Sequence, residues 1–315
     1  MCLLRSDFSV SSSLSGIARW KAHLAKELPT QGQIIGMLNA AKPIHTLHMD
    51  EFKAKRGKGW QLVLRDEHDR VVLVWKLKRR SEKKWAAVLR WLRMLGLEIR
   101  VVYVDFWKAY PGALRRVFPR AILQYDYFHT IQNIYCYLYR EIVAYRKRFK
   151  NQKVSPQDEA LHQELVKKLW KNRYKVLKHP EHLSPEEKQG VDELLEEHQG
   201  TILEKIVQFR DEIQDMFKRK SLYYINLHRI DLVFKGWDKV ASCFKKCLNF
   251  IQKYFREMIS YIRYPNIQRN SLQETTIRTL RRVEAIRYGF KSAQAARDHW
   301  NFYQIVHFLP EERFW

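Results

Sequence analysis

From residue 44 onward the chain is built of short apolar runs set between polar turns. IHTLHMD, closing on Asp50, reads as a strand. GWQLVLRD and VVLVWKLK, joined by the turn EHDR, read as a hairpin from Trp60 to Lys78. Short β-branched and aromatic runs of this kind suit a pleated, half-buried surface. The period then changes: in SEKKWAAVLRWLRMLGLE, Trp85, Val88, Leu92 and Leu95 share one helical face, with Arg90 and Arg93 off it. RVVYVD, ending at Asp105, is a continuous apolar run, as expected of a central strand covered on both faces. A short helix from about Lys108 to Val117 leads to Pro119, and AILQYD supplies a strand ending at Asp126. The order β-β-β-α-β-α-β predicts an α/β fold, a mixed sheet with helices on both sides.

Beyond Ile131 the pattern is helical almost throughout, to about Tyr264. Ser184-Pro185-Glu186-Glu187 is a helix start, with Ser as N-cap, Pro at the first helical position and Glu three after the cap. Asp158 to Leu177, Pro185 to His198 and Asn226 to Met258 carry helical spacing. After Pro265 and Asn266, a helix is expected from Ser271 to Arg287, ending at Gly289, and another from Ser292 to Phe308. Before residue 44 the signal is weakest. Ile17, Trp20 and Leu24 fit a short helix between Ser11 and Lys26, which Pro29 and Gly32 would break.

Charge narrows the range of partners. The 315 residues hold 58 Lys and Arg against 34 Asp and Glu, a net charge of +24. Such an excess points to a polyanion, and nucleic acid is the commonest one. With 46% hydrophobic residues a sizeable core can be buried, and no apolar run approaches the length of a membrane span. No signal peptide is expected. Cys2, Cys136, Cys243 and Cys247 form no Cys-x-x-Cys pair, so buried free thiols are expected rather than a zinc site.

Asp50, Asp105 and Asp126 each close a predicted strand, and strand ends along one edge of an α/β sheet are where sites assemble. Aspartates also end strands for no reason beyond the turn, as Asp66 and Asp69 are expected to do in the hairpin. If the strands of Asp50 and Asp105 lie side by side, their carboxylates repel unless a cation sits between them. A hard ion such as Mg²⁺ suits oxygen ligands, and paired ions suit phosphodiester chemistry.

These residues carry a resemblance. Asp50-Glu51-Phe52, Asp105-Phe106-Trp107 with Tyr110, Pro119 with Ala121, and Asp126-Tyr127-Phe128-His129 resemble, in order, motifs of the DDE transposases of the ISL-three insertion-sequence family. LWKNRYKVLKHPEHLSPEEK, from Leu169 to Lys188, is similar to a further segment of that family. So is Asn270 followed by Glu274 and a basic helix closing on Tyr288-Gly289-Phe290. The resemblance spans about residues 44–309.

The resemblance implies an RNase H-like mixed sheet with flanking helices, interrupted by a large all-helical insertion. Residues 44–130 and 266–315 would form the catalytic domain, 131–265 the insertion, and 1–43 an N-terminal segment with at most a remnant of a helix-turn-helix. No cysteine pair precedes Asp50, so the family's N-terminal zinc ribbon is expected to be lacking. Asp50, Asp105 and Glu274 would be the catalytic, metal-binding triad, using Mg²⁺ or Mn²⁺, two per site. Asp126 would support the site. His129, Asn270, Arg278, Arg281, Arg282, Arg287 and Lys291 would contact double-stranded DNA, both element ends and target. Arg278, Arg281 and Arg282 fall three and four apart, on one helical face. Arg140, Arg146, Lys147, Arg148 and Lys150 form a second basic cluster, and Trp170 and Trp237 read as core. The expected activity is metal-dependent DNA cleavage and strand transfer, by a homodimer with no membrane association, in the nucleoid of a bacterial or archaeal cytoplasm. The rival expectations are a catalytically idle DNA-binding remnant and an RNase H-like nuclease such as a junction resolvase.

Overall fold

A computed structural model of the chain describes residues 29–54, 59–271, 273–286, 290 and 292–309. The helix expected between Ser11 and Lys26, and the positions of Arg287, Gly289 and Lys291, lie outside the described residues. The chain forms two compact units, residues 1–123 with 271–315, and residues 124–270.

Among the described residues the first unit begins with a helix that hydrophobic spacing does not announce, α1 (Gln31–Ala41). Pro29 and Gly32, read as the break after an earlier helix, stand at the start of this one, Gly32 within its first turn. The reason lies in Thr30: its side chain accepts from the Gln33 amide while the Gln33 side chain accepts from the Thr30 amide, a reciprocal capping box. Ile34, Ile35 and Leu38 are its buried face.

The sheet follows: β1 (Thr46–Lys53), β2 (Trp60–Asp66), β3 (Val71–Leu77), then α2 (Glu82–Met94), β4 (Val101–Val104), α3 (Ala109–Val117) and β5 (Ile122–Tyr125). The strand order is β3-β2-β1-β4-β5. β1 to β3 form an antiparallel meander, and β4 runs parallel to β1. The chain returns to this unit as α12 (Gln273–Ile286) and α13 (Ala293–Phe308). One face of the sheet presents Phe52, Val63 and Val74 to Ile277 and Leu280 of α12 and to Trp300 of α13. The opposite face meets α2, where Trp85 donates to Glu51 and Trp91 packs on Trp75. This is the expected α/β arrangement with helices on both faces, an RNase H-like sheet joined to a helical region.

Buried polar groups fasten this unit at its edge. Asp66 is fully buried, pairs with Arg70 Nε at 2.6 Å and accepts from the His68 and Arg70 amides. The same guanidinium donates to the carbonyls of Leu38 and Lys42, tying the hairpin to the end of α1. Asp66 is therefore more than the turn residue expected, whereas Asp69 does occupy the turn, at φ 65°. On edge strand β3, buried Gln304 donates to the Val71 and Val72 carbonyls and accepts from Gln31. That satisfies backbone groups that an open edge leaves bare.

The second unit is all helical over its described residues from Tyr127 on: α4 (Tyr127–Lys150), α5 (Glu159–Asn172), α6 (Pro185–Glu197), α7 (Ile202–Lys218), α8 (Leu222–Phe234), α9 (Trp237–Val240), α10 (Ser242–Met258) and α11 (Ser260–Arg263). Ser184 caps α6 as its sequence requires. The helical spacing from Asn226 to Met258 is three helices rather than one. Gly236, at φ 71°, takes the left-handed conformation that ends α8, and an extended Ala241 separates α9 from α10. Trp237 is core, packed on Phe209 and Phe244. Trp170 is not: its ring is partly exposed and sandwiched by the Arg146 and Arg173 guanidinia at 4.6 and 3.8 Å. Cys243 and Cys247 are buried free thiols, and Cys136 is a free thiol at the surface.

Candidate active site

The site begins with register. β1 and β4 pair as Thr46 with Val101, Leu47 with Val102 and His48 with Tyr103. Continued two steps past the last pair, the same register would bring Asp50 alongside Asp105, which stands one residue beyond the end of β4. Directly opposed residues on neighbouring strands point to the same face, and the strands lie roughly 4.8 Å apart. Asp50 is not at the end of its own strand, as expected, because β1 continues to Lys53 against Trp60 of β2. It does lie beyond the last β1–β4 pair. Both aspartates thus stand at the carboxyl end of the parallel pair, where open α/β sheets bind ligands.

The face they share is the one that α12 covers. Alternation puts His48, Asp50 and Phe52 on one side of β1. His48 stacks on Tyr103, its cross-strand partner, with ring centroids 4.4 Å apart and planes 6° from parallel. Its Nδ1 shares a 2.8 Å hydrogen bond with Ser271 Oγ, just before α12. Burial, followed by the Arg65 charge, lowers the His48 pKa to about 3, so the ring is neutral at ordinary pH. Phe52 packs on Ile277 and Leu280, and the Arg281 guanidinium lies 5.7 Å from its ring. Glu274 occupies the first turn of α12; its side chain is outside the described residues.

Behind the two aspartates lies a cluster of groups to which composition gives no clue. Glu51 is buried, accepts from the Trp85 indole and pairs with Arg80. The Arg80 guanidinium sits between two rings, 4.5 Å from Trp60 and 4.3 Å from Trp107. The Trp107 amide donates to Asp105 at 2.8 Å, and the Glu51 amide donates to Asp50 at 2.6 Å. Tyr110 meets Trp85 and Trp107 edge-on, both with centroids 5.1 Å apart. Its hydroxyl is buried without a hydrogen-bond partner. Burial drives the Tyr110 pKa well up, helped by the negative charges of Asp105, Glu51 and Asp50. Burial also raises the Glu51 pKa and Asp105 adds to it, against the pull of Trp85 and Arg80. Three carboxylates therefore share one electrostatic neighbourhood. The motif residues Glu51, Trp107 and Tyr110 were visible in the sequence, but their contacts, and all of Arg80's part, were not.

The remaining expected site residues divide between the units. Arg278, Arg281 and Arg282 are exposed on α12. Asp126, His129 and Asn270 belong to the second unit. Buried Asp126 is the N-cap of α4, accepting from the His129 amide at 3.2 Å. The His129 ring shares a 3.2 Å hydrogen bond with Gln132, and Asn270 is exposed. In the second basic cluster, Arg148 pairs with Glu141 at 2.8 Å, while Arg140, Lys147 and Lys150 are exposed.

Among the described residues no three His, Cys, Asp or Glu side chains gather into a group that could hold a metal ion. Asp50 and Asp105, at the carboxyl end of the paired strands β1 and β4, remain. They form an all-oxygen donor pair of the kind Mg²⁺ or Mn²⁺ takes. The carboxylate field around the unpartnered Tyr110 hydroxyl is the surplus negative charge a cation would relieve.

The family model of the ISL-three DDE transposases, described as transposase, matches residues 47–298. This chain belongs to that transposase family. No curated protein matches it. No described helix is long and apolar enough to cross a membrane.

Proposed function

We propose that this transposase-family chain cleaves double-stranded DNA at element ends and joins them to target DNA, with Asp50, Asp105 and Glu274 as its catalytic carboxylates. The observation that carries the reading is that the paired strands β1 and β4 bring Asp50 and Asp105 to one end of the sheet, close enough that both charges act on Tyr110. Glu274, on the first turn of α12, would be the third acid, as the family resemblance implies. Asp50 and Asp105 would hold Mg²⁺ or Mn²⁺, two ions with Glu274 included. When bound, such ions polarise the phosphodiester and ease deprotonation of the attacking oxygen.

The chain's own residues do the rest. The Trp107 and Glu51 amides each donate to one oxygen of Asp105 and Asp50, which orients the two carboxylates. Neutral His48 and Ser271 tether the start of α12 beside β1 without adding positive charge. Arg278, Arg281 and Arg282 hold the DNA backbone in register by charge, with Arg287, Lys291, Asn270 and His129 as further contacts. Asp126 supports this by fixing the helix that carries His129. Hydrolysis frees a 3′-hydroxyl, which then attacks a target phosphodiester in line. Joining two ends requires two copies of the chain. The reading places the protein with the nucleoid of a bacterial or archaeal cytoplasm.

The test is supercoiled plasmid and labelled element-end DNA incubated with Mg²⁺ or Mn²⁺. The parent should nick, and should give joined product; Asp105→Asn should do neither while binding DNA as tightly as before. Nicking without joining would make the chain a nuclease such as a resolvase. Binding with no metal-dependent nicking would make it an idle remnant.

A further inference from the structure

We infer that α8 is a self-pairing surface, and that two copies of this chain associate by laying this helix of one against the same helix of the other. The helix is apolar on two opposite sides. Ile225 and Leu232 are buried, and Arg229 lies over Phe255 of α10, 4.9 Å from its ring. On the far side, Tyr223, Leu227, Ile230 and Phe234 are 69%, 50%, 42% and 85% exposed. At 3.6 residues per turn these four fall within about 60° of arc, diametrically opposite the buried stripe. A helix that is apolar on all sides belongs in an interior; this one has half an interior.

The spacing of the exposed stripe is four, three, four, that of a helix-pairing seam. It is self-complementary. With a two-fold axis passing between Leu227 and Ile230, Leu227 meets the partner's Ile230 and Tyr223 meets the partner's Phe234. Aliphatics fill the centre and aromatics close both ends.

Area and charge choose the occupant. With Tyr224 and Val233 on its flanks, both exposed, the face leaves roughly 600 Å² of largely apolar surface in water, against the ~800 Å² per partner of a stable interface. Patches of that size on monomers mark association sites. Nucleic acid is excluded as the occupant. In a chain with 58 Lys and Arg, neither the seam nor Tyr224, Asn226, Asp231 and Val233 beside it carries a single cation to meet a phosphate. A seam with no charged side chain of its own, and with the neighbouring Lys235 held by Asp231 and Glu212, is also what two copies of +24 need in order to approach. The one charge in that set, Asp231, is already paired with Lys235 at 2.9 Å.

The inference names the surface by which two copies would meet, and it does not depend on the catalytic reading: Asp105→Asn should associate like the parent. Light scattering on full-length protein at about 10 μM should show a dimer, and Leu227→Glu and Ile230→Lys should each be monomeric with unchanged circular dichroism. Mixing the two variants should restore a dimer, because Glu at 227 then faces Lys at 230 across the axis. A monomeric parent, or a dimeric Leu227→Glu, overturns the proposal. Monomeric variants that fail to complement overturn the self-paired seam.

Discussion

The two units bury ionisable groups to different ends. In the first, charge is buried against charge: Asp66 with Arg70 at the hairpin, Glu51 with Arg80 behind the paired aspartates. In the second, buried polar groups mostly satisfy backbone. Arg210 donates to the carbonyls of Val176 and Lys178, Asp126 caps α4, and Gln124 donates to the Met258 carbonyl and accepts from the Tyr261 amide. Desolvating an ion pair rarely adds net stability, whereas capping a loose carbonyl does. The helical unit thus places its polar groups where they hold turns. The sheet unit carries costly groups, and those at Glu51 and Arg80 stand directly behind the candidate site.

The largest effect should follow from removing one of the aspartates. Asp105→Asn or Asp50→Asn should lower metal-dependent cleavage by at least about 1,000-fold, ~4 kcal/mol of transition-state stabilisation, with thermal stability unchanged or slightly raised as repulsion is relieved. Glu274→Gln should match them. Asp126→Asn should not, because Asn caps a helix as well as Asp does. Single-turnover cleavage assays separate these cases, and an inactive but folded Asp126→Asn would give Asp126 a direct part in the chemistry.

Stability should be lost next, and unequally. Arg70→Ala leaves Asp66 charged and buried and frees two carbonyls, which should cost about 3–5 kcal/mol. Arg210→Ala frees carbonyls too, but its acidic partner Asp211 is partly exposed and can be solvated. That loss should be about 1.5–3 kcal/mol. Urea unfolding measures both; equal losses would erase the contrast between the units.

How much of this could be read from the chain follows the same division. Strand and helix order in the sheet unit was legible because each element has a period of its own and ends at Pro, Gly or Asp. α1 was not, since its start is a side-chain exchange between Thr30 and Gln33 rather than an apolar stripe. The nearness of Asp50 to Asp105 could be stated only as a condition, because pairing across some fifty residues is set by tertiary register. Glu274 came from resemblance alone, an acid on a helix being ordinarily a solvated one. Arg80 was invisible: its role depends on two tryptophans and a glutamate that meet only in the fold. In the helical unit the breaks at Gly236 and Ala241 were missed because apolar spacing runs on across both.

A pH titration sharpens the contrast through His48. Its pKa falls from 6.5 unfolded to about 3 folded, chiefly by burial. Between those values the unfolded chain binds a proton that the folded chain refuses, so stability falls with falling pH. Relative to pH 7.5, the loss at pH 5 should be about 2 kcal/mol. Glu51 works the other way. Its raised pKa lets the folded state take up a proton first, offsetting part of that loss. Unfolding in metal-free buffer at the two pH values, with His48→Gln alongside, isolates the histidine. A difference no smaller in the variant than in the parent would remove His48 as its source.

The smallest effect tests the interior of the helical unit. Burial lifts the Cys243 thiol to about 11, with Glu141 adding to it, and lifts Cys247 still further. At pH 8 only about one Cys243 in a thousand would be thiolate even with full access, and the thiolate is the form that alkylates. Cys136, also in this unit, is exposed. In a Cys2→Ser background, iodoacetamide should therefore add one group per native chain, at Cys136, and three once the chain is unfolded. Activity on DNA should not change, since none of these thiols is assigned a part in the chemistry. Native labelling of Cys243 at a rate near that of Cys136 would mean that α10 opens readily. The α8 helix, whose Arg229 lies over Phe255 of α10, would then lack a fixed support on that side.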